Sequence, residues 1–251
     1  MPQAGQKIIL ISGAGSGIGA ACALELSRQG AFIILTGRRE HRLQETASLL
    51  SGPSVCIAGD LSDEAHVMAV FAQAESHFGR LDVLVNCAGG GLQKPIEQIS
   101  KNEWRSIFAS NLDSVFLCSR EALKIMKKQS SGGRIITISS IAGLFNAQKY
   151  AAYCSAKHAV SSFCRILRRE ARNYGIRTIT FHPARIDTEF FSSYSHKPSQ
   201  RQMLSAQAVA QHIAAACLHG RAQRTFFRIR NSAYRIWNAI RPLKRSQKGE
   251  N

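Results

Sequence analysis

Apolar residues along this chain form six short runs separated by longer amphipathic stretches. The runs occupy residues 7–12, 31–36, 54–59, 82–86, 134–139 and 176–182, and they are rich in Ile, Leu and Val without polar alternation. Continuous apolar runs of this length are typical of strands that are covered on both faces. The pattern therefore predicts six strands of a buried, parallel sheet.

The stretches between these runs carry helix-forming residues at helical spacing. They cover residues 18–29, 39–50, 63–78, 101–128, 150–174 and 205–219. Alternation of strand and helix favours an α/β fold with a doubly wound parallel sheet and helices on both faces. The 251 residues suit a single domain, 1–251. Residues 224–229 are a candidate seventh strand at the edge of the sheet, so we expect about seven strands. Residues 232–240 are a candidate last helix, which Pro242 would end.

A glycine-rich segment lies directly between the first predicted strand and the first predicted helix. Residues 12–19 read Ser-Gly-Ala-Gly-Ser-Gly-Ile-Gly. Gly13 would permit a tight turn, Gly17 would let the backbone approach a pyrophosphate, and Gly19 would let the helix pack close to the sheet. The helix N-terminus, with Ser16 and Ile18, would then face the phosphates. Its place at the first strand–helix junction favours a dinucleotide-binding turn over an ordinary glycine-rich loop.

A second motif, at residues 153–157, carries candidate catalytic chemistry. Tyr153 and Lys157 are four residues apart on a predicted helix, and therefore lie on one face. A phenol with a pKa of about 10 is a poor proton donor or base near neutral pH unless a nearby cation stabilises the phenolate. Lys157 could supply that cation. Addition of hydride to a carbonyl also needs a second hydrogen-bond donor on the oxygen. Ser140, at the end of the fifth predicted strand, is our candidate, with Ser139 as the alternative.

The glycine spacing GxxxGxG and the YxxxK motif together resemble the short-chain dehydrogenase/reductase family. Residues 86–89, Asn-Cys-Ala-Gly, are similar to the family's NNAG motif, with Cys87 in place of the second Asn. Tyr153 follows Ser140 at a separation of 13 positions, which matches a spacing common in the family. The resemblance covers residues 7–188 and implies a Rossmann-type fold, a nicotinamide cofactor and Tyr153 as catalytic acid/base.

The resemblance also implies roles for further residues. Asn111 would use its main-chain carbonyl to help hold a water that links Lys157 to solvent, and Lys157 would bind the nicotinamide ribose. Pro183, Ile186 and Thr188 fall in a segment similar to PGxxxT, which contacts the nicotinamide carboxamide, although Ala184 replaces its glycine. The expected adenosine-side residues are Asp60, Leu61, Asn86, Ala88 and Gly89.

The residues after the second predicted strand bear on the choice between NAD(H) and NADP(H). An NAD-selective site would place a carboxylate there to hold the ribose 2′-hydroxyl, but this chain has Gly37, Arg38 and Arg39. Arg38 can bind a phosphate with its planar guanidinium, and Arg39 adds charge. We therefore expect NADP(H), against the alternative that both arginines are simply solvated.

Residues 189–202 are expected to form a lid over the substrate. Aromatic residues in this segment would face glycines and apolar side chains on the opposite wall, which favours an apolar small-molecule alcohol or ketone. The same aromatics could instead pack the lid against the body. The candidate wall residues are Gly90, Gly91, Leu92, Phe145, Phe190, Phe191 and Tyr194.

The formal net charge of +17 at pH 7 could serve an anionic cofactor, a nucleic acid or an anionic membrane. No aromatic-interleaved RNA motif or recognisable DNA-reading module is present, which argues against nucleic acid. Residues 221–251 hold nine Lys and Arg against one Glu. This basic C-terminal segment could attach the protein peripherally to a membrane, or it could pack its aromatic residues into a subunit interface and leave a solvated basic end.

Seven widely spaced cysteines, with no CxxC pair and no metal-ligand spacing, predict reduced thiols, no metal site and a cytoplasmic protein. No apolar run is long enough to span a membrane. The family resemblance implies a homo-oligomer, a dimer or a tetramer. The chain lacks the Asp-Gly-Gly ending of many tetrameric relatives such as 3-oxoacyl-carrier-protein reductases, which argues against a role in fatty-acid synthesis.

Two classes of function remain at this point. The first is an NADP(H)-dependent oxidoreductase that acts on a carbonyl or alcohol. The second is a cofactor-binding sensor or scaffold with the same fold and no significant turnover. The presence of Ser140, Tyr153 and Lys157 favours the enzyme.

Overall fold

A computed structural model describes residues 5–191 and 203–219 of the chain. Six parallel strands form one sheet in the order β3-β2-β1-β4-β5-β6. Their bounds are β1 Ile8–Ser12, β2 Phe32–Gly37, β3 Ser54–Ala58, β4 Val83–Asn86, β5 Gly133–Ile138 and β6 Ile176–Phe181. The chain reverses its direction of winding between β1 and β4, and in open α/β sheets this switch point opens the binding crevice. The predicted doubly wound α/β fold is confirmed.

Helices cover both faces of this sheet. They are α1 Gly17–Arg28, α2 Glu40–Ser48, α3 Glu64–Phe78, α4 Lys101–Phe108, α5 Ser114–Lys128, α6 Ala151–Ala171 and α7 Ala206–His219. Local signals set several ends: the Asp63 side chain accepts a hydrogen bond from the Ala65 amide at the start of α3, and Gly79 ends that helix with φ +64.

The side chains of β1 show how the two faces are filled. Ile9 and Ile11 pack into a core with α1 and α7, whereas Ile8 and Leu10 pack into a second core with α3 and α5. All four side chains are fully buried. A strand with apolar side chains on both faces reads as a continuous apolar run, so the absence of polar alternation in the sequence was informative.

The stretch 101–128, predicted as one helix, is interrupted. A π-helical turn, Ala109–Asp113, joins α4 to α5. Asn111 is fully buried in this turn, and its side-chain amide donates to the carbonyls of Ile107 and Gly90, both at 2.9 Å. The wider turn lets Asn111 bond across to the loop after β4, and helical periodicity in the sequence does not reveal such a turn.

The predicted seventh strand at 224–229 and last helix at 232–240 lie outside the described residues. The structure shows instead a short parallel pair that was not predicted, β7 Ile186–Asp187 with β8 Leu204–Ser205. Two-residue strands are too short to give a recognisable pattern. Among the helices that the structure describes, none is long and apolar enough to cross a bilayer.

Candidate active site

A cleft of about 900 Å³ runs along the carboxyl ends of the strands. Most of the predicted site residues line it, which brings together segments far apart in the chain. Those lining the cleft are Gly13, Ser16, Gly17, Ile18, Gly19, Arg38, Arg39, Asp60, Leu61, Ala88, Gly89, Ser140, Tyr153, Pro183, Ile186 and Thr188. Asn86, Asn111 and Lys157 lie behind the cleft wall and are buried at 1%, 0% and 4% exposure.

The glycine turn between β1 and α1 is close-packed at each motif position. Gly13 has φ +65, and a Cβ there would lie 2.9 Å from Ala88 Cα. Gly17 has φ +54, and a Cβ there would lie 3.2 Å from the Thr188 methyl group. At Gly19 a Cβ would lie 2.2 Å from the carbonyl oxygen of Gly13, so the third glycine is required by the turn itself.

The loop after β4 is held against this turn by Ser12, whose role the sequence did not suggest. The backbone amides of Cys87 and Ala88 both donate to the Ser12 hydroxyl at 3.0 Å. Asn86 points inward, and its amide donates to Ser119 at 3.0 Å. Of the expected adenosine-side motif, therefore, Ala88 and Gly89 face the cleft, while Asn86 ties the central sheet to α5.

Cys87, where the family motif has Asn, lies beside a buried thiol. The Cys22 thiol hydrogen-bonds Cys87, and this contact and burial raise the pKa of Cys22. All seven cysteines of the chain are free. Within residues 5–191 and 203–219, no group of three or more His, Cys, Asp or Glu side chains is placed to hold a metal ion.

Tyr153 lies near the start of α6 and is only 9% exposed. Burial raises its pKa to about 12, although the hydrogen bond from Ser140 acts in the opposite direction. The structure also distinguishes the two candidate serines. Both line the cleft, but the Ser139 hydroxyl bonds to buried groups, the Ser161 hydroxyl at 3.1 Å and the Lys157 carbonyl at 3.4 Å. The Ser140 hydroxyl is the one that hydrogen-bonds Tyr153.

Lys157 is one helical turn beyond Tyr153, and its Nζ lies 5.8 Å from the centroid of the Tyr153 ring. The ammonium donates to the Ile138 carbonyl at 3.3 Å. Burial lowers the pKa of Lys157 to about 8. The expected lowering of the Tyr153 pKa by Lys157 is therefore not what the structure shows, because burial dominates at both groups and opposes the charged form of each.

Asn111, Lys157 and Gly89 meet behind the cleft. A Cβ at Gly89 would lie 2.7 Å from Asn111 Oδ1 and 3.4 Å from Lys157 Nζ. The Asn111 Oδ1 atom is itself buried without a hydrogen-bond partner among the described residues. The π-helical turn thus places this buried polar acceptor and the Lys157 ammonium beside the same glycine.

Two arginines stand at the opposite end of the cleft, after β2. The Ser62 backbone amide and, to a lesser degree, the charge of Arg38 lower the pKa of the Asp60 carboxyl, which places Arg38 and Asp60 on the same part of the wall. Arg39 donates to the Ser16 hydroxyl at 3.2 Å. Its guanidinium therefore reaches across to the glycine turn.

Three consecutive residues after β7 contact three different parts of the cleft. The Thr188 side chain packs on Gly17, and its hydroxyl accepts a hydrogen bond from the Phe190 amide at 3.3 Å. Glu189 pairs with Arg39 at 3.6 Å and hydrogen-bonds Arg42. The Phe190 ring lies 5.4 Å from the Tyr153 ring.

Sequence reasoning missed Glu189 and Arg42 because they are 147 residues apart and belong to no motif. It placed Phe190 correctly on the cleft wall, together with Gly90, Gly91 and Phe145. Leu92 instead packs into a separate small core with Ile107. Tyr194 lies outside the described residues, and of Phe191 only the backbone is described, in a 3₁₀ turn.

Comparison with known proteins agrees with this geometry. The model of the short chain dehydrogenase family matches residues 7–199. A 3β-hydroxysteroid dehydrogenase of Mediterraneibacter gnavus is 36% identical over 187 residues, which are 73% of this chain and 67% of that protein. An uncharacterized oxidoreductase of Staphylococcus aureus is 33% identical over 208 residues, which are 82% of this chain and 89% of that protein.

Among solved structures, a 3-ketoacyl-(acyl-carrier-protein) reductase of Brucella melitensis in complex with NADH superposes with a TM-score of 0.79. It covers 86% of this chain and 93% of its own, at 24% identity, and so supports the fold. The family match extends over the glycine turn, the loop after β4 and the Tyr153–Lys157 pair, and the relatives match most of their own length. The chain belongs to the short chain dehydrogenase family and is an oxidoreductase of that family.

Proposed function

We propose that this protein is an NADP(H)-dependent oxidoreductase that transfers a hydride between the nicotinamide and a carbonyl or alcohol carbon of an apolar small molecule. One observation carries the proposal. A single cleft has Ser140 and Tyr153 at one end, with Lys157 buried behind them, and Arg38 and Arg39 at the other.

The glycine turn fits a dinucleotide. A Cβ at Gly13 or Gly19 would meet the backbone of the turn or of the loop after β4, so only glycine keeps this tight turn at the edge of the cleft. Ser16, the N-cap of α1, makes no side-chain hydrogen bond to the helix, so the first N–H groups of α1 remain donors for a pyrophosphate. Asp60, Leu61, Ala88 and Gly89 would hold the adenosine side. Pro183, Ile186 and Thr188 would hold the nicotinamide side.

The residues at the Tyr153 end are suited to carbonyl reduction and to its reverse. A bound nicotinamide supplies or accepts the hydride. Tyr153, which is protonated at neutral pH because burial raises its pKa to about 12, donates the proton to the developing alkoxide. Ser140 donates a second hydrogen bond to the same oxygen. Lys157 would orient the cofactor ribose, and its ammonium, 5.8 Å from the centre of the Tyr153 ring, would offset part of the cost that burial imposes on the phenolate.

Asn111 completes the proposed proton path. Its buried Oδ1 and the Lys157 Nζ approach each other at Gly89. The Asn111 oxygen would accept a hydrogen bond from the protonated Lys157 and hold its ammonium in position to return a proton to Tyr153. The family resemblance assigned this role to the main-chain carbonyl of Asn111, and the geometry supports the side-chain oxygen as an additional acceptor.

Cofactor preference gives the direct test of this function. Purified protein should bind NADPH more tightly than NADH, because the first two residues after β2, Arg38 and Arg39, are cationic donors that line the cleft. Arg38→Ala should weaken NADPH binding about tenfold, the value of a charge-assisted hydrogen bond, and change NADH binding little. Isothermal titration calorimetry measures both constants.

The control variant is Arg28→Ala, which removes an exposed arginine at the end of α1, away from the cleft. It should bind both cofactors as the wild type does. Equal affinity of the wild type for NADPH and NADH, or an Arg38→Ala variant with unchanged NADPH binding, would refute the 2′-phosphate assignment.

The wall near Tyr153 supports an apolar substrate. Phe145, Ile141 and Phe190 line this end of the cleft together with the ring of Tyr150. The M. gnavus relative is named for a steroid alcohol, and a steroid alcohol is an apolar small molecule of the kind proposed here. A screen of NADPH oxidation across steroids, retinoids, quinones, aliphatic aldehydes and acyl thioesters would identify the substrate class.

We also propose a cytoplasmic homo-oligomer, a dimer or a tetramer. Large apolar side chains are exposed on three neighbouring helices: Trp104 on α4 at 39%, Phe116 on α5 at 42% and Ile166 on α6 at 54%. Exposed large apolar side chains on helices that contact one another support a subunit interface.

The basic segment 221–251, which lies outside the described residues, is proposed to attach the protein peripherally to anionic membranes. Each Lys or Arg near anionic headgroups contributes about 1 kcal/mol, so the full chain should co-sediment with phosphatidylserine vesicles at low salt. A chain ending at Arg221 should not. If neither folded form sediments, the membrane proposal fails, and if truncation instead dissociates the oligomer, the segment belongs to a subunit interface.

A further inference from the structure

Glu189 places a carboxylate beside Arg39, one of the two arginines that the proposed function assigns to the cofactor. It lines the cleft opposite Arg39, pairs with Arg39 at 3.6 Å and also hydrogen-bonds Arg42. Arg42 in turn pairs with Glu45 at 2.9 Å. The cationic end of the cleft therefore already contains an anion supplied by the chain itself.

We propose that Glu189 is a specificity-determining residue, which competes with the 2′-phosphate of NADP(H) for Arg39. The inference rests on the NADP(H) preference proposed above. An NADP(H) 2′-phosphate must separate Glu189 from Arg39 before it can bind to that arginine. NADH, which has a hydroxyl at this place, leaves the pair intact.

The backbone at Glu189 is fixed by contacts of its two neighbours in the chain, Thr188 and Phe190, so the carboxylate remains near Arg39. Thr188 packs on Gly17 and accepts the Phe190 amide, and Phe190 packs on Tyr153. Arg39 is also held, because its guanidinium donates to Ser16 at 3.2 Å. The carboxylate is thus presented to the arginines at a defined point between the phosphate turn and the catalytic tyrosine.

Charge and exposure set the size of the effect. The Arg39 and Glu189 side chains are 52% and 51% exposed, so solvent screens their attraction. A phosphate monoester carries a charge of about −1.5 to −2 near neutral pH, more than a carboxylate, and can therefore displace Glu189 from Arg39. Breaking the Glu189–Arg39 pair reduces the free energy gained when NADP(H) binds. The pair therefore reduces the preference for NADP(H) without abolishing it.

The test is calorimetric titration of the wild type and Glu189→Gln with NADPH and NADH. The same titrations with adenosine 2′,5′-bisphosphate and 5′-AMP isolate the phosphate. Glu189→Gln should bind NADPH and the bisphosphate up to about fivefold more tightly, the range for an exposed ion pair, with NADH and 5′-AMP changed less than about twofold. The difference should shrink at high salt.

Glu45→Gln is the matched control, because Glu45 pairs with Arg42 but does not line the cleft. It removes the same charge from the same arginine and should change NADPH binding much less. An equal gain in Glu45→Gln would show a general charge effect and overturn the inference. Thermal unfolding confirms that each variant is folded.

The failure of this inference is distinguishable from failure of the proposed function. If the wild type prefers NADPH but Glu189→Gln binds it no more tightly, only the inference about Glu189 is wrong. If the wild type binds the bisphosphate no more tightly than 5′-AMP, the NADP(H) assignment itself is wrong, and the role of Glu189 is refuted with it.

Discussion

Tyr153→Phe is expected to abolish turnover, with kcat/KM lowered by about 10²- to 10⁴-fold, the range for loss of a general acid. The ring would still fill the same buried site against Phe190, so the variant should fold as the wild type does. It loses only the hydroxyl that transfers the proton and hydrogen-bonds Ser140. Cofactor affinity should therefore remain within about twofold of the wild type, because the phenol oxygen is one contact among many.

The measurement combines steady-state kinetics on a substrate from the screen with cofactor titration. Tyr174→Phe serves as the control, since Tyr174 is 48% exposed and its ring lies beside Lys127, away from the cleft. Near wild-type kcat in Tyr153→Phe would show that another group is the acid/base. A wild type that binds cofactor tightly and turns over no substrate of any class would favour the sensor or scaffold.

Lys157→Met is expected to impair both catalysis and cofactor binding. Methionine fills a similar volume in this buried site but carries no charge and no donor. Loss of the charge-assisted bonds to the cofactor ribose should weaken binding about tenfold, and loss of the cation beside Tyr153 should lower kcat further. Calorimetric titration gives the cofactor affinity, and steady-state kinetics gives kcat, as for Tyr153→Phe. An unchanged cofactor affinity would remove Lys157 from the cofactor site.

The pH dependence of cofactor binding gives a second reading of Lys157. Burial lowers the pKa of Lys157 to about 8, so its side chain is an ammonium below that pH and a neutral amine above it. Affinity for the anionic cofactor should therefore fall as pH rises through about 8. Lys157→Arg keeps its charge over this range and should show no such fall. A wild-type profile that is flat from pH 6 to 10 would contradict the assignment.

Much of the fold follows from local sequence. Strands β1, β2 and β4 were predictable because they are buried on both faces, which requires an unbroken apolar run. The edge strands β3 and β6 are partly exposed, and their apolar runs are correspondingly weaker. The glycine turn was predictable because Gly13 and Gly19 occupy positions that no larger residue fits, at a recognisable place after β1. Tyr153 and Lys157 were predictable because helical spacing alone puts them on one face.

Other features depend on contacts between distant segments. The sequence favoured Ser140 and left Ser139 as the alternative, and the contacts that separate them exist only in the folded chain, where Ser139 bonds to Ser161 and Ser140 bonds to Tyr153. The π-helical turn at Asn111 depends on a bond to Gly90, which local periodicity does not encode.

Charge at the site was the least predictable property. The sequence predicted a phosphate site at Arg38 and Arg39, but it could not show that Glu189 reaches Arg39 from the segment after β7. Nor could the YxxxK spacing show that burial would raise the pKa of Tyr153 and lower that of Lys157. Motif spacing determines which groups are neighbours, whereas desolvation and long-range ion pairs exist only once the tertiary structure excludes water and brings distant segments together.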